Sequence, residues 1–254
     1  MGEPISLEPS KHSLKITIKK KFMKQEMMEK QKIIQKKWYE SKLSQKRGEI
    51  IEISTHVHIN RLKGLIPVQN VKLSLNCGCG DGTQKDIFGP SIGMDISFEN
   101  IRSLIQRGGQ GLVADMEFLP FRDNTFDLVY GFGILHHLSD IKRGVSEATR
   151  VLKNGGCIAF GGENNGLCPL TYIMAFIYRN WKIEKGFYRI RKGNLKKVFQ
   201  ELGIKEFRIS RQGMTIYGMG RTIYKLTSLG ERFLSRIRFL NTFSGYCYFR
   251  GRKS

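Results

Sequence analysis

The sequence predicts an α/β fold: a doubly wound, mostly parallel sheet with helices on both faces. Three observations predict it. From residue 71 onward short apolar runs alternate with helix-like stretches, the first run closes in a glycine-rich turn, and two later runs end on an aspartate. Repeated strand–helix units build a mostly parallel sheet. Ligands of such sheets bind beyond the carboxyl ends of the strands.

The elements follow in order. Residues 1–20 read as an arm with little structure. From Lys19 to about Lys46, apolar residues at Phe22, Met23, Met27, Met28, Ile33, Ile34 and Trp38 suit an amphipathic helix with a wet basic face. Residues 1–48 are therefore expected to form a basic helical arm, and 49–254 the main domain. A helix over about 49–63 leads into strands at 71–76, 91–95, 111–115, 126–132 and 157–162. Helices are expected at about 83–88, 98–107 and 140–152, the last capped by Ser139 and ended by Gly155-Gly156. Beyond 162 come the apolar stretch 167–178, a helix over 194–202, a strand over 204–210, a basic amphipathic helix over about 221–239 and a strand over 245–249. Segments 163–190 and 212–243 read as insertions near the top of the sheet.

Composition narrows the class. A chain of 254 residues can bury roughly 70–75% of its unfolded surface, and 40% hydrophobic with 26% charged residues argues against wholesale disorder. There is no apolar run long enough for a transmembrane helix, and the start lacks the apolar core of a secretory signal. A cytoplasmic protein is expected, with peripheral contact at the inner face of a membrane as the alternative. Cys77, Cys79, Cys157, Cys168 and Cys247 imply no disulfide framework. Cys77 and Cys79 have no partner pair to close a zinc set, so no metal is expected. The net charge of +21 is uneven: +7 over residues 1–50, −3 over 51–141 and +17 over 142–254. Such flanks suit a polyanionic partner, nucleic acid or an anionic membrane.

Three strand ends carry the site. The glycines of Asn76-Cys-Gly78-Cys-Gly80-Asp-Gly82 let backbone approach a nucleotide-like ligand, although the spacing departs from the dinucleotide fingerprint. Asp95 can accept both hydroxyls of a ribose, and Asp115 can accept an adenine amino group beside the Met116 backbone. Each acid alone could equally cap its loop. Together they describe an adenosine site without a pyrophosphate cradle.

The stretch 119–138 (LPFRDNTFDLVYGFGILHHL), followed by Glu147-x-x-Arg150-Val-Leu-Lys-x-Gly155-Gly156, closely resembles the class I, Rossmann-like S-adenosylmethionine-dependent methyltransferases, most of all their small-molecule and lipid group (methyltransferase type 11-like). The resemblance covers about residues 71–162. It implies a seven-stranded sheet with an antiparallel last hairpin and S-adenosylmethionine as cofactor. It also implies that Gly78, Gly80 and Gly82 approach the methionine moiety and ribose, and that Asp95 binds the ribose hydroxyls with Ile96 packed on adenine. Asp115 would hold the adenine amino group, Met116 would add backbone and ring contact, and the carbonyl near Gly131 or Phe132 would face the ammonium group. Asn76 stands where the family usually has an acid. Losing that charge would weaken cofactor binding by on the order of 1–3 kcal/mol.

In-line transfer of an activated methyl asks the protein mainly for alignment, which contributes roughly 7–11 kcal/mol, and for a base where the nucleophile is protonated. His136 or His137, just beyond the fourth strand, can serve, with His137 preferred; the alternative is that one packs locally while the other lines the pocket. His56 and His58 read as surface or packing residues. Trp38 and Tyr39 either anchor the arm or cover the cofactor. Tyr172, Trp181, Tyr188 and Arg189 either line the acceptor pocket or pack an insertion.

The acceptor divides three ways. The apolar stretch 167–178 and the basic segment 221–239 suit a small or lipid-like acceptor at a membrane surface. The basic, aromatic carboxyl-terminal half suits RNA, but no RNA-binding module or Asn/Asp-Pro-Pro-aromatic motif follows the fourth strand. A non-catalytic binding protein on the same fold rests on Asn76 alone.

Overall fold

The computed structural model describes residues 29–30, 32–34, 36–37, 48–66, 71–177, 185–213 and 240–254. Seven strands form one sheet: β1 (Ser74–Cys77), β2 (Ser91–Asp95), β3 (Gln110–Val113), β4 (Phe126–Phe132), β5 (Leu152–Asn164), β6 (Ile204–Gln212) and β7 (Tyr246–Lys253). Their spatial order is β3-β2-β1-β4-β5-β7-β6. The first five run parallel, and β7 is antiparallel to both β5 and β6. This is the expected mostly parallel sheet with an antiparallel last hairpin.

Alternation along the strands builds two apolar layers. Leu75, Cys77, Met94, Val129, Ile158, Phe160, Cys247 and Phe249 face the helices Ile141–Val151 and Lys192–Glu201, which bury Val145, Ala148, Leu195 and Phe199 against them. On the other face Leu128, Tyr130, Ala159, Tyr246 and Tyr248 pack with Leu62 of helix Gly48–Lys63, and with Ile66 and Phe88. The helix Phe98–Gln106 sits close to β2 and β3 because Gly93 and Gly111 have no side chain. An added Cβ would come within 2.6 and 2.5 Å of Leu104 there.

Three local expectations are corrected. No helix forms over 83–88; the chain passes from β1 to β2 through turns. Aspartates take the local backbone instead: Asp81 Oδ1 accepts from the Thr83 amide at 3.1 Å and Asp86 Oδ1 from the Ser91 amide at 3.0 Å. Such side-chain bonds compete with helix. The cap of helix Ile141–Val151 is Asp140, not Ser139, and accepts from the Arg143 amide at 3.2 Å. Gly155-Gly156 does not end that helix. The chain enters β5 directly at Leu152, and the glycines form an excursion between Leu152, paired with Phe126, and Cys157, paired with Leu128. The segment 167–178 contains the helix Pro169–Ile177. Of the arm, residues 29–30, 32–34 and 36–37 are helical. Trp38, Tyr39, Trp181 and the expected helix 221–239 lie outside the described residues.

The Glu147-x-x-Arg150 pair explains how the segment after β3 is held. Arg150 donates to the carbonyls of Leu119 (2.9 Å) and Phe121 (2.8 Å) and to the carboxylates of Asp123 and Glu147. Glu147 accepts from the Leu119 amide at 2.9 Å.

His58 is the packing residue and His56 the exposed one. His58 Nδ1 lies 2.5 Å from the Tyr248 hydroxyl, and its ring stacks edge-on to Tyr246. Burial, with the nearby Arg61 guanidinium adding to it, lowers its pKa to about 3. An unfolded histidine titrates near 6.5, so neutral His58 contributes stability that is complete above that pH and fades as pH falls toward 3, by about 1.4 kcal/mol per unit. His58→Phe is therefore expected to lose about 2 kcal/mol less than wild type between pH 7.5 and 5.0 in urea denaturation. Equal losses in the two proteins would show that His58 is not held neutral.

Candidate functional site

The carboxyl ends of β1 to β5 bring the expected residues onto one edge of the sheet. Gly78, Gly80 and Gly82 have φ of +69°, +54° and +84°, conformations that side chains disfavour. The three divide by what surrounds them. A Cβ on Gly78 would meet Ile134 at 2.9 Å, and one on Gly82 would meet Leu104 at 2.7 Å, so these two glycines serve close packing. A Cβ on Gly80 would meet nothing within 4 Å. Gly80 is where backbone opens onto free space.

Asp95 holds this turn. One carboxylate oxygen accepts from the Gly80 amide at 3.0 Å and the other from the Ser97 amide at 2.9 Å. Burial pushes its pKa up, and those amides partly offset the shift. Ile96 beside it is half-buried. Asn76, almost fully buried, donates from its amide nitrogen to the Gln84 carbonyl at 3.3 Å, while its Oδ1 is buried without a hydrogen-bond partner.

Asp115 and Met116 follow β3. Asp115 accepts from the Glu117 amide at 2.9 Å, and its other oxygen lies 2.5 Å from the ammonium of Lys32 in the arm. The Met116 side chain is buried in the core cluster. Glu117, which sequence reasoning passed over, is buried; it pairs with Lys32 and accepts from the Ser139 amide at 2.7 Å.

The turn Leu135–His137 after β4 is organised by a second acid that the sequence did not single out. Glu163, fully buried near the end of β5, accepts from the amides of Ile134 (2.8 Å) and Leu135 (2.9 Å) and lies 2.7 Å from His136 Nδ1. A carboxylate only accepts, so Nδ1 donates to Glu163. The His136 and His137 rings lie in tilted contact, with centroids 4.0 Å apart and planes at 43°. The only available signal for Glu163 was an acid directly following an apolar strand. Phe132, at the end of β4, is half-buried and packs edge-on to Tyr130.

Arg189 closes the far side of the histidine turn. It donates to the carbonyls of His136 (3.2 Å), Leu138 (2.5 Å) and Ser139 (3.1 Å), and burial lowers its pKa. Gly186 leaves no room beside the His136 carbonyl: a Cβ would come within 1.8 Å. Tyr172 packs edge-on to Phe187, and Tyr188 is exposed. Burial pushes the thiols of Cys77 and Cys79 up, keeping them protonated, and no cluster that could hold a metal occurs among the described residues.

Residues 75–160, from β1 into β5, match the family described as a methyltransferase domain. An uncharacterized protein of Methanocaldococcus jannaschii is 31% identical over 194 residues, covering 70% of this chain and 75% of its own. The chain belongs to the class I S-adenosylmethionine-dependent methyltransferases. Among other relatives of this methyltransferase, a 27-O-demethylrifamycin SV methyltransferase of Amycolatopsis mediterranei is 30% identical over 44% of this chain and 46% of its own. A tRNA (carboxymethyluridine(34)-5-O)-methyltransferase of Arabidopsis thaliana is 38% identical over 33% and 22%. The fold matches a Thermotoga maritima S-adenosylmethionine-dependent methyltransferase, a possible histamine N-methyltransferase, with TM-score 0.55 and 20% identity over 77% and 87% of the chains.

The residues fit that cofactor. The opening at Gly80 admits a ligand to the backbone, and the lone Asn76 Oδ1 offers an acceptor for an ammonium donor without a charge.

Removing Glu163 leaves the amides of Ile134, Leu135 and His136 without this acceptor, at about 1–3 kcal/mol for each buried group. Glu163→Ala is expected to lower unfolding stability by at least about 2 kcal/mol, and Glu163→Gln by less, because one oxygen still accepts. Denaturant curves showing no loss in Glu163→Ala would remove its organising role.

Proposed function

We propose that this methyltransferase acts on a small or lipid-like acceptor delivered to the histidine turn between β4 and β5. S-adenosylmethionine, when bound, supplies the activated methyl group. Asp95 is assigned to the ribose hydroxyls, its carboxylate oxygens keeping lone pairs beyond the two amide bonds; Asp115 is assigned to the adenine amino group. Asn76 Oδ1 is assigned to the ammonium.

His137 takes the acceptor's proton. His136 is the positioning residue: Glu163 fixes its tautomer, and its ring packs at a tilt against His137. The observation that carries the acceptor class is the turn Lys185–Arg189 packed on the histidine turn. Its Gly186 abuts the His136 carbonyl, it carries Phe187 and exposed Tyr188, and its Arg189 is spent on four carbonyls. An apolar acceptor suits the aromatic residues of that turn, and a phosphate finds no unspent guanidinium at Arg189. The likeness to a tRNA methyltransferase makes RNA the competing reading.

Methyl transfer from labelled S-adenosylmethionine into fractionated cell extract tests the choice. Label is expected in the organic-extractable fraction, with His137→Ala slowing incorporation at least about tenfold while cofactor affinity holds. Label in RNA would overturn the acceptor class. Asp95→Ala is expected to weaken cofactor binding at least about tenfold by calorimetry, since the hydroxyls lose a buried acceptor. Unchanged affinity would mean that the ribose lies elsewhere.

A further inference from the structure

Among the described residues of the arm, Lys32 is half-buried, whereas Glu29, Lys30, Ile33, Ile34, Lys36 and Lys37 are exposed. Ile33 and Ile34 keep 54% and 45% of their surface open, so these apolar side chains do not bed the arm on the body. Lys32 is what meets it. Its ammonium lies 2.5 Å from one oxygen of Asp115 and 3.3 Å from Glu117. It also lies 5.5 Å from the centre of the Phe118 ring, which the Arg143 guanidinium covers at 3.8 Å. The Glu117 oxygen that faces Lys32 is the one not bound by the amides of Ser139 and Asp140. All three contacts belong to the segment directly after β3, where the acid assigned to adenine stands.

That carboxylate is engaged on both oxygens. One accepts from the Glu117 amide at 2.9 Å and the other from Lys32. An adenine amino group is a neutral donor, and a charged donor bonds a carboxylate roughly twice as strongly. Two donors converging on one oxygen also repel each other. With side-chain exposures of 26% for Asp115 and 2% for Glu117, solvent screens these charges less than it screens a pair on the open surface. Lys32 thus holds its oxygen against a neutral competitor. The hold is made by charge on an otherwise exposed stretch of helix, so it is reversible.

We propose that Lys32 is a latch that competes with the cofactor: the arm and the adenine amino group exclude each other at Asp115, and S-adenosylmethionine binds when the arm has let go. The inference rests on the assignment of Asp115 to adenine. A binding site open in only a fraction of molecules shows an affinity reduced by that fraction, so an arm latched on about nine molecules in ten weakens cofactor binding about tenfold. The arm then sets how much cofactor the enzyme needs without touching the chemistry at the histidine turn.

Calorimetric titration of S-adenosylmethionine into the full chain tests the latch. Lys32→Met, which keeps most of the apolar stem and loses the charge, is expected to bind about tenfold tighter than wild type. Equal binding overturns the latch, and weaker binding does so too, making Lys32 a contact to the cofactor instead. The Lys32→Met/Asp115→Ala variant separates the latch from the assignment beneath it. Its binding is expected to be at least about tenfold weaker than that of Lys32→Met, because the amino group loses its acceptor. That weakening without a gain from Lys32→Met alone removes the latch and keeps the adenine site. No weakening removes the adenine site and the latch together.

Discussion

The bond from the Gly80 amide to Asp95 is the constraint on which the site depends. It ties the turn after β1 to the end of β2, and the second oxygen of the same carboxylate holds Ser97, the cap of the next helix. The register that aligns Cys77 with Met94 delivers these groups to one level of the sheet. Positive φ at Gly80 then leaves the backbone bare where a ligand must come close. A carboxylate buried to satisfy amides is stable only because those donors replace water.

Two further buried acids repeat this arrangement. Glu117 reaches from the loop after β3 to the amide of Ser139, and Glu163 reaches from β5 to the amides after β4. Neighbouring strand-end loops are thus stitched by charge-assisted bonds rather than by contact between loops alone. Arg189 completes the enclosure by binding carbonyls of the same turn. The histidine pair therefore sits in a turn whose backbone is fixed from both sides, the condition for aligning a reacting group. On the other flank, Lys32 of the arm rests on Asp115 and Glu117, so the arm meets the sheet at the very acid assigned to adenine.

Much of this was legible because it is local. β2 and β4 have the expected bounds, and the glycine turn and the strand-end acids were readable as spacing alone. The helix expected at 83–88 failed because Asp81 and Asp86 bind nearby amides, a competition that periodicity does not register. That the Met116 side chain is buried in the core cluster was not legible, because neighbouring residues on an irregular segment point to different sides and sequence does not say which. Glu163 went unnoticed because its partners lie 27 to 29 positions away. Long-range hydrogen bonds leave no periodic trace.

The most direct test is a crystal of the full chain grown with S-adenosylhomocysteine, the demethylated cofactor. Density for its ribose against the Asp95 carboxylate, with the chain of the amino acid passing Gly80, is the predicted result. A protein that binds the compound in solution yet shows it at a surface away from both residues would contradict the account.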